Sequence, residues 1–118
     1  MKTIICDIDG TLLNYLHDSA CLEQRHVPLP GAVKKMRNWE VQGCRIIIIT
    51  GRRESDRART VGELEKARIP YDMLLMGFAD TGRVLINDVG SKGQCKAHAV
   101  SLDRDQGFDD FDWSEVGL

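Results

Sequence analysis

The sequence has little of what marks several broad classes of protein. Its net charge is only −2, from 16 basic and 18 acidic residues, so it carries no basic footprint for nucleic acid. No apolar run approaches the length of a membrane span, and the N-terminus reads as a strand pattern broken by Asp7 rather than as a secretory leader. A cytoplasmic protein with no membrane partner is the expectation. The cysteines Cys6, Cys21, Cys44 and Cys95 are widely spaced and include no Cys-x-x-Cys pair, so they read as reduced thiols and not as a disulfide or zinc framework. His17, His26 and His98 are scattered and read as surface or satisfied side chains. Repeats and low-complexity segments are lacking, although residues 103–118 collect acids around a single base.

What is present is an ordinary globular composition, 42% hydrophobic and 29% charged over 118 residues. That length fits one domain, residues 1–118, and leaves little room for a second module. The chain is organised around its first strand. Thr3 to Cys6 form a short β-prone run, and Gly10 frees the backbone to turn where the run ends. Asp7 and Asp9 therefore stand at a strand terminus. Residues two apart in extended chain point the same way, so both acids can face one small volume. Two like charges there need a proton or a cation, and Mg2+ is the usual divalent answer.

A second strand follows the same plan. Pro28-Leu29-Pro30-Gly31 punctuates the chain, and Ala32, Val33, Met36 and Trp39 then recur at helical spacing up to a stop at Gly43. Arg45 to Ile49 contains four consecutive isoleucines with no polar face, which predicts a strand covered on both sides in a parallel α/β sheet. It empties into Thr50-Gly51-Arg52. The Thr50 hydroxyl, the Gly51 backbone and the Arg52 fork could together cradle a phosphoryl group. A helix is expected from Ser55 or Asp56 to about Arg68, then buried strands at Met73–Met76 and Val84–Ile86. The last of these leads to Asp88, a third acid at a strand end. Ala97 to Leu102 reads as a further short strand or a helix-strand junction, and Phe108, Phe111 and Trp113 are expected to pack back on the domain. Alternating strands and helices predict a parallel sheet built by right-handed crossovers, with ligands at the carboxyl ends of the strands.

Asp7-Ile8-Asp9-Gly10-Thr11 after an apolar strand resembles the first motif of the haloacid dehalogenase superfamily, mostly Mg2+-dependent phosphatases. Chance would place that pattern in a chain of this length roughly once in a thousand. Thr50 resembles the second motif, a Thr or Ser that holds a phosphoryl oxygen. The resemblance implies a Rossmann-like three-layer α/β sandwich with a mainly parallel central sheet and no large cap domain. It implies a phosphomonoester hydrolase in which Asp7 is the nucleophile, Asp9 the general acid and base, and Thr50, Gly51 and Arg52 the phosphate site. Mg2+ would be held by Asp7, Asp9 and Asp88. The family's third motif supplies a lysine shortly before the fourth strand, and here only Arg83 or Lys92 could stand for it. That departure keeps open an alternative, a phosphate- and metal-binding or regulatory module of weak turnover. Ile69 to Asp72, Leu85 to Asp88 and Ala97 to Gly107 are similar to capless phosphatase-like proteins of capsule or polysaccharide biosynthesis. The implied partner is a phosphorylated small molecule or glycan-related substrate, with nucleic acid not expected and a homo-oligomer possible around so open a site.

Overall fold

The computed structural model describes residues 1–16, 25–79 and 81–118. His17 and Cys21, both named above, lie outside the described residues. Strand β1 spans Thr3–Cys6, helix α1 Ala32–Val41, strand β2 Arg45–Ile49, helix α2 Arg57–Ala67 and strand β3 Met73–Leu75. The three strands lie side by side in the order β1-β2-β3, and both pairings are parallel. Each helix is the crossover between two adjacent strands, which gives the Rossmann-like α/β arrangement that the alternation predicts.

Strand register sorts the side chains into two faces. Ile4 pairs with Ile46, Cys6 with Ile48, and Ile48 with Leu74, so these residues share one face. Ala32, Met36 and Trp39 of α1 and Leu64 of α2 join Cys6, Ile46, Ile48 and Leu74 in the core cluster. The opposite face carries Ile5, Ile47 and Met73. Here the expectation that the isoleucine run is covered on both sides needs correction. Ile46 and Ile48 are buried, whereas Ile47 and Ile49 are half-buried and Ile5 is exposed. The helices supply enough apolar surface for one face of the sheet only.

The expected strand at Val84–Ile86 is also corrected, because residues 81–90 form no regular element and Val84, Leu85, Ile86 and Val89 are exposed. Only residues 76–83 separate β3 from this run, shorter than the dozen or so residues of an ordinary parallel crossover. The run instead forms an exposed arm that reverses at residues 90–94, where the Gly90 N–H donates to the Gln94 carbonyl at 2.8 Å. Ala97 to Leu102 returns along the arm without regular structure.

The C-terminal aromatics pack back as expected. Phe108 is 1% exposed, and its ring centroid lies 6.0 Å from Trp39 and 5.1 Å from Trp113. The Trp113 indole N–H donates to the Phe108 carbonyl at 2.8 Å, which satisfies the one polar atom of that ring. Just before Phe108 the chain passes so close to Pro30 that a Cβ on Gly107 would sit 2.3 Å from the Pro30 carbonyl oxygen, and Gly107 also has φ +84°. Only glycine fits there.

Two outcomes follow from this packing. Phe108→Ala should lower the urea-measured unfolding free energy by about 3 kcal/mol, the cost of deleting a buried ring. Burial, reinforced by the charge of Asp7, pushes the Cys6 thiol from 9.0 up to about 12. Unfolding frees that thiol to ionise at its ordinary value, so its contribution to stability is whole below pH 9 and is lost as pH rises toward 12. Cys6→Ala should therefore show a shallower fall in stability than the parent protein between those limits, measured by denaturant titrations at stepped pH.

Candidate active site

The site begins with the turn that ends β1. The N–H groups of Thr11, Leu12 and Leu13 all converge on the Ile8 carbonyl, at 3.1, 2.9 and 3.1 Å. Gly10 adopts φ +85°, a left-handed conformation suited to glycine, and its N–H donates to the Leu13 carbonyl at 2.7 Å. Ile8 is fully buried, which fixes the orientation of its two neighbours. Asp7 and Asp9 consequently line one cleft of about 200 Å³, together with Gly10, Thr11, Tyr15, Arg83, Leu102 and Arg104.

The two acids have different surroundings. The Asp7 carboxylate accepts from the Thr11 hydroxyl at 3.3 Å and faces the Arg83 guanidinium at 3.5 Å. Burial raises its proton affinity above the usual carboxylate range, and Arg83, the Ile8 N–H and Thr11 pull it part of the way back. Asp9 is gripped by Arg52 in a two-pronged pair, Nε to Oδ2 at 2.9 Å and Nη2 to Oδ1 at 2.7 Å. The remaining arm of Arg52 donates to Glu63 at 2.6 Å and to Thr60 at 3.1 Å, both on α2. Four of its five N–H groups are thus used within the protein, and its side chain is only 7% exposed. Burial alone would make Arg52 easier to deprotonate, but the bonds to Asp9 and Glu63 outweigh it and hold the guanidinium more firmly charged than usual.

The expected phosphate turn is present in altered form. Thr50 is 1% exposed at the end of β2, and its Oγ1 accepts from the Arg52 N–H at 3.1 Å, leaving its hydroxyl proton to donate. Neither Thr50 nor Gly51 is among the residues lining the cleft. Arg52 is placed to brace Asp9, with little left to grip a substrate. Arg83 does reach the acids. Lys92 stands exposed on the reversal of the arm, its N–H bonded to the Gln94 side chain at 3.0 Å. Asp88, on the same arm, is exposed and ion-paired to Lys96. The structure therefore brings together Asp7, Asp9 and Arg83, with Arg52 and Thr50 behind them, and leaves Asp88 and Lys92 outside the cleft. Among the described residues no group of three or more His, Cys, Asp or Glu side chains is arranged as a metal cage.

Several contributors were not singled out by the sequence reading. His26 Nδ1 lies 3.0 Å from the Asn14 carbonyl and 3.6 Å from Asp9 Oδ1, and Glu63 closes the Arg52 network from the next helix. Spacing gave no signal for either, since both contacts span many residues. Asp88 was expected from a strand that did not form.

Comparison with known proteins now carries weight. A model of the haloacid dehalogenase-like hydrolases matches residues 4–73, which contain all but the first residue of β1, both crossovers, the acid pair and the Thr50 turn. The chain belongs to the haloacid dehalogenase-like hydrolase family. No curated protein matches it significantly. Two solved structures resemble this family member: one of a Pnkp1/Rnl/Hen1 complex, at 28% identity and a TM-score of 0.54 over 70% of this chain and 30% of the other; the second of the Pnkp1/Rnl/Hen1 RNA repair complex, at 29% identity and 0.55 over 70% and 27%. The chain thus spans less than a third of either relative's length. No helix among the described residues is long and apolar enough to cross a membrane.

The Arg52 network gives a direct test. Arg52→Ala leaves Asp9 and Glu63 facing each other without their shared cation and should cost about 3 kcal/mol of unfolding free energy. Arg52→Lys should recover only part of that, because a single ammonium cannot hold both Asp9 oxygens in the fork geometry. Urea denaturation of both variants beside the parent measures it.

Proposed function

We propose that this family member is a phosphomonoester hydrolase working through a covalent aspartyl-phosphate on Asp7. The observation that carries the reading is the meeting of Asp7, Asp9 and Arg83 in one cleft at the carboxyl end of the parallel strand β1. Asp7 Oδ attacks phosphorus while the bond from phosphorus to the ester oxygen breaks, and Asp9 gives that leaving oxygen a proton. Water, deprotonated by Asp9, then attacks phosphorus; the Asp7–phosphorus bond breaks, and phosphate leaves with Asp9 protonated again. For Asp9 to carry a proton, one prong of the Arg52 grip must open. Glu63 keeps the guanidinium in place while that happens.

The donors present suit Mg2+. Asp7 offers its carboxylate and Asp9 its backbone carbonyl in the same cleft, both Asp9 carboxylate oxygens being held by Arg52, and this ion is commonly held by one or two carboxylates, waters and substrate phosphate oxygens. Such a cation would favour the ionised form of Asp7, which burial opposes, and would stabilise charge on the phosphoryl group. Asp88, the third expected ligand, would need the arm to fold back before it could contribute. Arg83 would bind phosphoryl oxygens, whereas Thr50, buried outside the cleft, would reach them only after its turn shifts. We further read the chain as one capless cytoplasmic domain similar to capsule-associated phosphatases, with a phosphorylated small molecule or a glycan phosphate as substrate. The structural likeness to a component of an RNA repair complex adds a phosphorylated RNA end to the substrates worth testing.

A second reading, binding or regulation without efficient turnover, is favoured by the arginines that already neutralise both acids and by the lack of a lysine among the described residues that line the cleft. One set of measurements separates the two. The purified chain should release phosphate from a panel of phosphosugars, nucleotides and an aryl phosphate only when Mg2+ is added, and Asp7→Asn should lower the rate at least about a thousandfold. Mg2+ alone should raise the melting temperature, since a ligand that prefers the native state stabilises it. Calorimetric binding of phosphate ligands without any release would instead establish the binding module.

A further inference from the structure

One wall of the cleft takes no part in the chemistry just described. Tyr15, Leu102 and Arg104 form it. The Arg104 guanidinium carbon lies 4.5 Å from the centroid of the Tyr15 ring, the geometry in which a planar cation rests on an aromatic face. Both residues are fixed by their backbones. The Tyr15 N–H donates to Asp105 Oδ1 at 2.7 Å, and the Asp105 N–H donates to the Gly10 carbonyl at 2.9 Å. Asp105 adopts φ 62°, and the Arg104 side chain passes so near Gly10 that a Cβ there would lie 3.1 Å from Arg104 Cγ. The pair is therefore built onto the same turn that carries the two acids.

Arg104 also differs from the two arginines that meet the acid pair and from those that open helix α2. Arg52, Arg57, Arg59 and Arg83 each face a carboxylate, whereas Arg104 is exposed and, among the described residues, has no carboxylate partner. A guanidinium at the rim of an anion-binding cleft, flattened against a ring, offers a charged planar surface to whatever is joined to the phosphoryl group. The chemistry of this wall discriminates among substrates. A sugar phosphate needs matched acceptors as well as donors for its hydroxyls, and the leucine and guanidinium of this wall supply no acceptor. Those suit a flat base, which stacks on arginine planes and aromatic faces. A net charge of −2 does not oppose this, because stacking at a single residue needs no basic surface.

We propose that Arg104, set by Tyr15, is a stacking platform for a base carried by the phosphomonoester, so that this site prefers nucleotides or oligonucleotide ends to sugar phosphates. The proposal rests on the phosphoryl position argued above, though not on turnover. The test is calorimetry on the full chain carrying Asp7→Asn, with Mg2+, against adenosine 3′-monophosphate, adenosine 5′-monophosphate and glycerol phosphate. At least one of the nucleotides should bind about tenfold more tightly than glycerol phosphate. Arg104→Ala should abolish that preference while leaving glycerol phosphate within about twofold, and Arg104→Lys, which keeps the charge without the plane, should fail to restore it. A 3′-phosphorylated trinucleotide distinguishes the sources of the base: tighter binding than the mononucleotide points to a strand end, equal binding to a free nucleotide, and both support the platform. Equal affinity for all ligands, or an equal loss for all of them in Arg104→Ala, overturns it. Phosphate release by the unsubstituted protein is read separately, so preference without hydrolysis would sink the phosphatase reading alone, and hydrolysis without preference would sink the platform alone.

Discussion

An almost fully buried guanidinium with a carboxylate on either side ties the end of β1 to helix α2. Arg52 spends its fork on Asp9 and its other arm on Glu63, so the acid at the strand end, the turn after β2 and the middle of α2 hold one another in place. Desolvating three charges is costly, and such a cluster is sustained only when its hydrogen bonds are nearly all made. Here they are: among the described residues no buried side-chain polar atom lacks a partner. The conformation of Asp9 is then set by α2 as much as by the turn that carries it.

The same turn is held from the other side by the C-terminal segment. Asp105 bonds to Gly10 and Tyr15, and three residues later Phe108 enters the core beside Trp39, its N–H donating to the Pro30 carbonyl at 2.8 Å. A stretch with almost no regular structure is thereby fixed at both ends by close backbone approach and a buried ring. It walls the cleft at the end of β1, and it delivers Arg104 to the rim. Packing of the chain's last aromatic residues and the shape of the cleft are consequences of one set of contacts.

Charge organises the cleft along a gradient. Asp7, partly desolvated, binds its proton more readily than a free carboxylate would, and Arg83 counteracts that from a distance of 3.5 Å. Asp9 is pinned by a permanent cation. Two neighbouring acids with such different partners can take different parts in proton and phosphoryl transfer, the division of labour that an acid pair needs in order to do chemistry. Arg104 extends the positive side of the gradient away from the reacting atoms, where it can meet the rest of a substrate.

The sequence by itself determined the core of this picture where the cause was local. The β-prone run before Asp7, the isoleucines before Thr50 and the helical spacing of Ala32, Met36 and Trp39 each specify their element within a few residues, so β1, β2, α1 and their order were legible, as was the placing of Asp7 and Asp9 side by side. Only the tertiary structure decided what depends on contacts distant along the chain. Val84 to Ile86 has the composition of a strand, but a strand exists only when a neighbour pairs with it, and the link from β3 is too short for the usual crossover; Asp88 was carried away with it. Arg52 looked like a substrate clamp because a fork beside a phosphate turn can serve as one, and nothing local revealed that Asp9, 43 residues earlier, and Glu63, 11 residues later, would occupy it. Tyr15 and Arg104 lie far apart in sequence and carry no motif. They meet because Asp105 bonds to both Tyr15 and Gly10, and hydrogen bonds of that span are set by the folded chain and not by spacing.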